Sequence, residues 1–149
     1  MTFVQRVRKT DLARKTRQVI NAVLHGQTAL VEHHGQPEVA IIDIVDYRIL
    51  RAVMRYYARR PRLDAEAGLA ERDVSGLSDP QDRFNLVFAH YLAGAISLGR
   101  AAELLGLSWL DLRTRCLRLD VPLRMAPGEL SEAKADVEVA DSWAAAPHP

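Results

Sequence analysis

Cysteine is nearly absent from this chain: Cys116 stands alone among 149 residues, which excludes an internal disulfide and suits a reducing cytoplasm. No stretch approaches the roughly 18 consecutive apolar residues of a membrane span. The opening residues are polar and basic, unlike a secretory leader. Constellations that carry catalysis are missing as well. There is no glycine-rich phosphate loop, nucleophile elbow or paired-carboxylate arrangement, so an enzyme ranks last among the readings. His33-His34 invites a metal, but neighbouring residues of one strand point to opposite faces and cannot share an ion. His25 and His90 lack acidic or cysteine neighbours at ligand spacing. Neither metal nor cofactor is expected, and Cys116, on the inward side of a helix, reads as a small core residue.

What is present is a chain with 48% hydrophobic residues, enough to build one full domain or two small ones. Its net charge of +1 conceals a strong segregation. Residues 1–62 hold 12 Lys and Arg against 5 Asp and Glu, whereas residues 63–95 hold 2 against 6. Residues 96–125 return to 5 against 3, and residues 126–149 close with 1 against 5. A basic head followed by acidic segments suggests two kinds of partner.

The head has a legible pattern. Residues 3–8 read as a short strand with Phe3 or Val4 and Val7 on the buried side. Thr10 is placed to cap a helix running to about His25, where Gly26 supplies the left-handed stop. Leu12, Thr16, Val19, Ile20 and Val23 share one face of that helix, with Arg14, Gln18 and Asn21 opposite. Residues 28–34 and 38–44 read as two strands joined through Gly35-Gln36-Pro37. Asp43 then caps a helix over 44–60, with Asp46 three residues on as the return partner of a capping box. Val39-Ala40-Ile41-Ile42 is apolar on both alternating faces, so that strand needs cover on both sides. The first helix can cover one. A second copy of the same surface supplies the other, which predicts a twofold dimer carrying two sets of Arg6, Arg8, Lys9, Thr10, Arg14, Lys15 and Arg17.

The run Gly35-Gln36-Pro37-Glu38-Val39-Ala40-Ile41-Ile42-Asp43-Ile44-Val45-Asp46-Tyr47 resembles the matching segment of Phd/YefM-type antitoxins, although Thr10-Asp11-Leu12-Ala13 lacks the Glu expected near the start of the first helix. The resemblance implies an α+β fold with a β-α-β-β-α dimerisation and DNA-binding module over residues 1–60. It also implies repression of the protein's own operon and membership of a toxin–antitoxin pair. The DNA contacts would come from Arg6, Arg8, Lys9, Thr10, Arg14, Lys15 and Arg17 of the head.

On the second helix, Tyr47, Leu50, Met54 and Tyr57 follow three-four-three spacing, a seam for another helix. Arg48, Arg51, Arg55 and Arg59 form a separate stripe, open to reading as a solvated face or as a phosphate- or toxin-contacting one. Pro61 ends the helix. Residues 61–78 read as a linker with one weak helical turn, and as the domain boundary. Asp79-Pro80 starts a strong amphipathic helix with Phe84, Val87, Phe88, Tyr91 and Leu92 inward. Ser97 caps a helix over 98–105 that Gly106 stops, and Ser108 caps another over 109–119, with Asp111 in the capping-box position.

Small Ala102, the Gly106 turn and the Leu112 plug meet the physical needs of a helix-turn-helix over residues 79–125. The segment Ile96-Ser97-Leu98-Gly99-Arg100-Ala101-Ala102-Glu103-Leu104-Leu105-Gly106-Leu107-Ser108 resembles a second antitoxin-like family of small helix-turn-helix proteins, often paired with PIN-type ribonuclease toxins. With Leu112, Cys116 and Leu119 inward, the outward face carries Leu110, Arg113, Thr114, Leu117 and Arg118. Ser108, Arg113, Thr114 and Arg118 are therefore candidates for a second DNA surface or a partner surface. Residues 126–149 read as an acidic, disordered tail whose Glu129, Leu130, Val137, Val139 and Trp143 would engage a toxin, against the plainer reading of a solubilising tail. The expectation is a cytoplasmic, dimeric or higher-order antitoxin that binds double-stranded operator DNA and a cognate toxin, with no membrane partner. The alternative is a stand-alone transcriptional regulator.

Overall fold

The computed structural model describes residues 4–124, so Phe3 and the segment 126–149 with its five expected toxin contacts lie outside the described residues. The fold is α+β. Strand β1 (Val4–Arg8) leads into helix α1 (Lys9–Leu24), then β2 (Thr28–His33), β3 (Gln36–Ile41) and α2 (Ile44–Arg59). Four helices follow: α3 (Glu71–Ser75), α4 (Pro80–Leu92), α5 (Leu98–Leu105) and α6 (Trp109–Arg118). None of the described helices is long and apolar enough to cross a membrane.

The sheet has the order β1-β2-β3, with β1 parallel to β2 across α1 and β3 antiparallel to β2. Period-two alternation puts Gln5 and Val7, Ala29 and Val31, Val39 and Ile41 on one face. Helix α1 covers this face through Val19, Val23 and Leu12, and the Gln5 side chain donates to the Val19 carbonyl at 3.3 Å. Val4 lies on the other face and is exposed, so it is not the inward partner of Val7; the other candidate, Phe3, lies outside the described residues. Ile20 and Thr16 also stay exposed, because α1 meets the narrow sheet along a thinner line than the sequence spacing suggested.

Three local expectations are corrected. Thr10 does not cap α1. The helix begins a residue before it, with Arg8 in the extended cap conformation and no side-chain cap. The hairpin turns at His34 (φ 50°) and Gly35 (φ 77°), not through Gln36 and Pro37. Two consecutive left-handed residues match the twist of the flanking strands. Pro37 is accommodated within β3 because that strand is an edge and is bulged, Val39 pairing with Val31 and Pro37 with Glu32. Finally, Asp43 caps α2, accepting from the Val45 N–H at 2.7 Å, but the Asp46 carboxylate turns to arginines of α6 instead of completing a capping box. Asp111 behaves alike, pairing with Arg115 at 3.1 Å.

The helical elements follow their sequence signals closely. Asp79, Ser97 and Ser108 each cap the helix behind them, and Gly106 takes the left-handed conformation (φ 70°) after α5. Phe84, Val87, Phe88, Tyr91 and Leu92 all point into the main core with Leu98, Ala101, Ala102, Leu112 and Cys116. Ile49 and Ala52 of α2 and Val74 of α3 belong to this same core. The packing therefore divides ahead of α2, not at the 61–78 stretch, where Leu69 and Val74 help to seal the helical body. Helix α2 meets it through Val45, Ile49, Ala52, Val53 and Tyr56. The Tyr47, Met54 and Tyr57 seam faces away and is left open.

Candidate nucleic-acid interface

The basic head splits into two groups. Arg6, Arg8 and Lys9 hold carboxylates: Glu32 at 2.8 Å, Asp11 at 3.0 Å and Glu38 at 3.8 Å. These pairs are exposed on the arginine or lysine side, so each contributes little to stability and can be exchanged for a phosphate. Arg14, Lys15 and Arg17 lie exposed on the outer face of α1 with no ion pair among the described residues. Thr10 is exposed at the start of the same helix.

The parallel register sets Arg8 beside Glu32, and so brings the end of β2 next to the start of α1. The result is a recess of about 310 Å³ lined by Arg8, Lys9, Thr10, Glu32, His33 and His34, with Gly35. The α1 N-terminus adds unsatisfied backbone N–H groups and the positive end of the helix dipole. Strand alternation does not separate His33 from His34, because His34 sits in the turn, and the two rings lie 4.0 Å apart at a 58° tilt. Both line the recess. The signal that could have revealed this was the turn itself: a His-Gly pair at left-handed φ releases the first residue from strand alternation.

The α6 surface differs from expectation. Ser108 is occupied as a helix cap, and Thr114 donates to the Leu110 carbonyl at 2.7 Å. Arg113 lies over the Trp109 ring, 5.8 Å from its centre. Arg118 is not outward: its side chain is 12% exposed and binds Asp46 at 2.6 Å. The remaining outward residues, Leu110 (63% exposed) and Leu117 (50%), offer base edges no donors or acceptors.

Behind this face is a buried ionic cluster that sequence reading missed. One Arg115 nitrogen reaches Asp43 and Asp46, both at 2.9 Å, while its Nε reaches Asp111. Burial works against the Arg115 charge, but the Asp46 hydrogen bond and the charges of Asp43 and Asp111 outweigh it, raising its pKa. Asp43 and Asp46 lie about 70 positions from their arginines in sequence, so no local pattern announces these pairs. The cluster fixes α6 against the start of α2, and Arg118 reaches on to the hairpin module: a Cβ at Gly26 (φ 99°) would come within 2.9 Å of its guanidinium. The left-handed φ is what calls for glycine there, and a side chain would also have to displace the end of Arg118. Next to the cluster, burial and the Asp46 charge push the Cys116 thiol up to about 12, which leaves it inert at neutral pH.

Scanned against protein-family models, curated proteins and solved structures, the chain matches none.

Proposed function

We propose that this protein is an antitoxin-type repressor that grips operator DNA as a dimer through its basic head and blocks a cognate toxin through its later segments. The observation that carries the DNA half is the set Arg14, Lys15 and Arg17, exposed on one helix without carboxylate partners among the described residues, beside a recess at the start of that helix to which Arg8 and Lys9 contribute. Cations left unpaired on a folded surface are suited to releasing counterions from a phosphate backbone.

Support for the dimer comes from the edge strand β3, where Val39 is 55% exposed, and from Ile44 and Tyr47 just beyond it. A single copy leaves these apolar groups in water, and pairing two copies would bury them and set two basic helices side by side. The toxin half rests on the two antitoxin resemblances alone, including the assignment of a PIN-type ribonuclease as target. The stand-alone regulator is disfavoured in its two-module form. Arg118 is committed to Asp46, so the helix-turn-helix face is better suited to a protein surface than to a groove.

The test is binding to a fragment of the protein's own promoter across a salt series. Arg14→Ala with Lys15→Ala should weaken binding and reduce the salt slope by about 2. An unchanged slope would make the cluster a solubilising face. Co-expression with the neighbouring reading frame, read as growth rescue, tests the toxin half separately.

A further inference from the structure

We propose that the arginine-lined groove between α2 and α4 is a docking site for residues 126–149 of the same chain. Arg51, Arg55 and Arg59 repeat every four residues along α2, one row with a rise of about 6 Å between members. All three are exposed, and none has an ion pair among the described residues, although Arg6, Arg8, Lys9, Arg100, Arg115 and Arg118 each do. With Met54, Ala58 and Asn85 they line a groove of about 260 Å³. Arg55, Arg59 and Asn85 also border an adjoining recess of about 130 Å³ closed by Tyr56, Pro61 and Ala89.

The groove mixes cations with apolar surface. A phosphate backbone would use the arginines and leave Met54, which is 68% exposed, and Ala58 in water. An acidic peptide with apolar side chains would use both. Residues 126–149 carry 5 acids against 1 lysine, and the acids are interleaved with Leu130, Val137, Val139 and Trp143. Glu129, Glu132 and Asp136 recur at three-four spacing, close to the repeat of the arginine row.

The attachment point is favourable. The Tyr91 hydroxyl accepts from the Arg124 N–H at 2.6 Å, which pins the last described turn against the end of α4. Asn85 lies six residues back along that helix, about 9 Å away. The 25 residues that follow Arg124 span up to about 80 Å when extended, so reach is no obstacle. Tethering holds the segment at an effective concentration of the order of millimolar, enough for a weak site to be filled.

Hydrogen exchange of the full chain tests this, comparing the natural protein with the triple variant Arg51→Ser, Arg55→Ser, Arg59→Ser. The expected result is a several-fold acceleration of exchange within residues 126–149 in the variant, with rates in α4 to α6 unchanged. Trp143 gives a second readout in a Trp109→Phe background, where acrylamide quenching should rise several-fold on the triple substitution or in high salt. Equal exchange and equal quenching in both proteins overturn the proposal. Protection that disappears on dilution moves the segment to a neighbouring copy and overturns the same-chain assignment. A variant that loses affinity for random-sequence duplex DNA while Trp143 is unaffected gives the groove to phosphate instead. The readouts need neither operator nor toxin, so the outcome is independent of the proposed function.

Discussion

In the helical body, Val87, Phe88, Ala101, Leu112 and Cys116 are completely buried, whereas among the described residues of the hairpin module Ala29 alone reaches that state and Ile20, Leu24 and Val39 stay largely exposed. Charges divide in the same sense. The body takes Arg115 and Arg118 inside and satisfies them with aspartates, while the module leaves Arg14, Lys15 and Arg17 in solvent. A three-stranded sheet under one helix has too little interior to close by itself. The body closes its core within one chain, whereas the module leaves apolar edge residues and unpaired cations in solvent.

Breaking the body should do the most damage. Phe88→Ala removes a ring packed between Phe84 and Tyr91, and should lower stability by about 4 kcal/mol, read by denaturant titration. A loss near 1 kcal/mol would mean that the core is looser than its burial indicates. Next comes the joint between the parts. Asp46→Ala strands Arg118 inside and leaves Arg115 with Asp43 and Asp111, and should lower stability by about 3 kcal/mol. Melting followed separately by signals from the body and the hairpin should then lose its coincidence, and retained coincidence would place the coupling elsewhere.

Smaller effects are expected from the module's open surfaces. Val39→Lys should shift the sedimentation profile toward monomer with little change in melting, and a profile that stays dimeric moves the interface off β3. Smallest is Cys116, whose thiol should resist a thiol reagent at mildly alkaline pH until the protein is unfolded. Because folding raises its pKa to about 12, the stability it contributes is complete below the ordinary thiol range and declines as pH rises toward that value. Rapid labelling of the folded chain would show that α6 opens readily.

The elements most legible in the sequence were those with local causes. Ser97, Gly106, Ser108 and Asp79-Pro80 fix helix ends through hydrogen bonds within a few residues, and the inward face of α4 follows from periodicity alone. The hairpin position slipped because two turn solutions, one at His34-Gly35 and one at Gly35-Gln36-Pro37, are close in composition. The bulge that tolerates Pro37 depends on the partner strand. Of the candidate site, the exposed cations of α1 were readable from helical spacing. The fate of Arg118 was not, since Asp46 lies far away in sequence and both residues carry ordinary surface chemistry. Nor was the shared core of α2 with α4, because the Val45, Ile49, Ala52 and Tyr56 face competed with the equally periodic Tyr47, Met54 and Tyr57 face for the same role.

The aspartate–arginine cluster also makes the junction an indexed joint and not a sliding one. Apolar helices can shift past each other by a fraction of a turn at modest cost, but α6 cannot turn about its axis without separating two largely buried guanidinium groups from their carboxylates. The hairpin module is therefore held at one angular setting or released altogether. Under the proposed pairing, two copies would carry their basic helices at that one setting, like teeth cut on the same wheel.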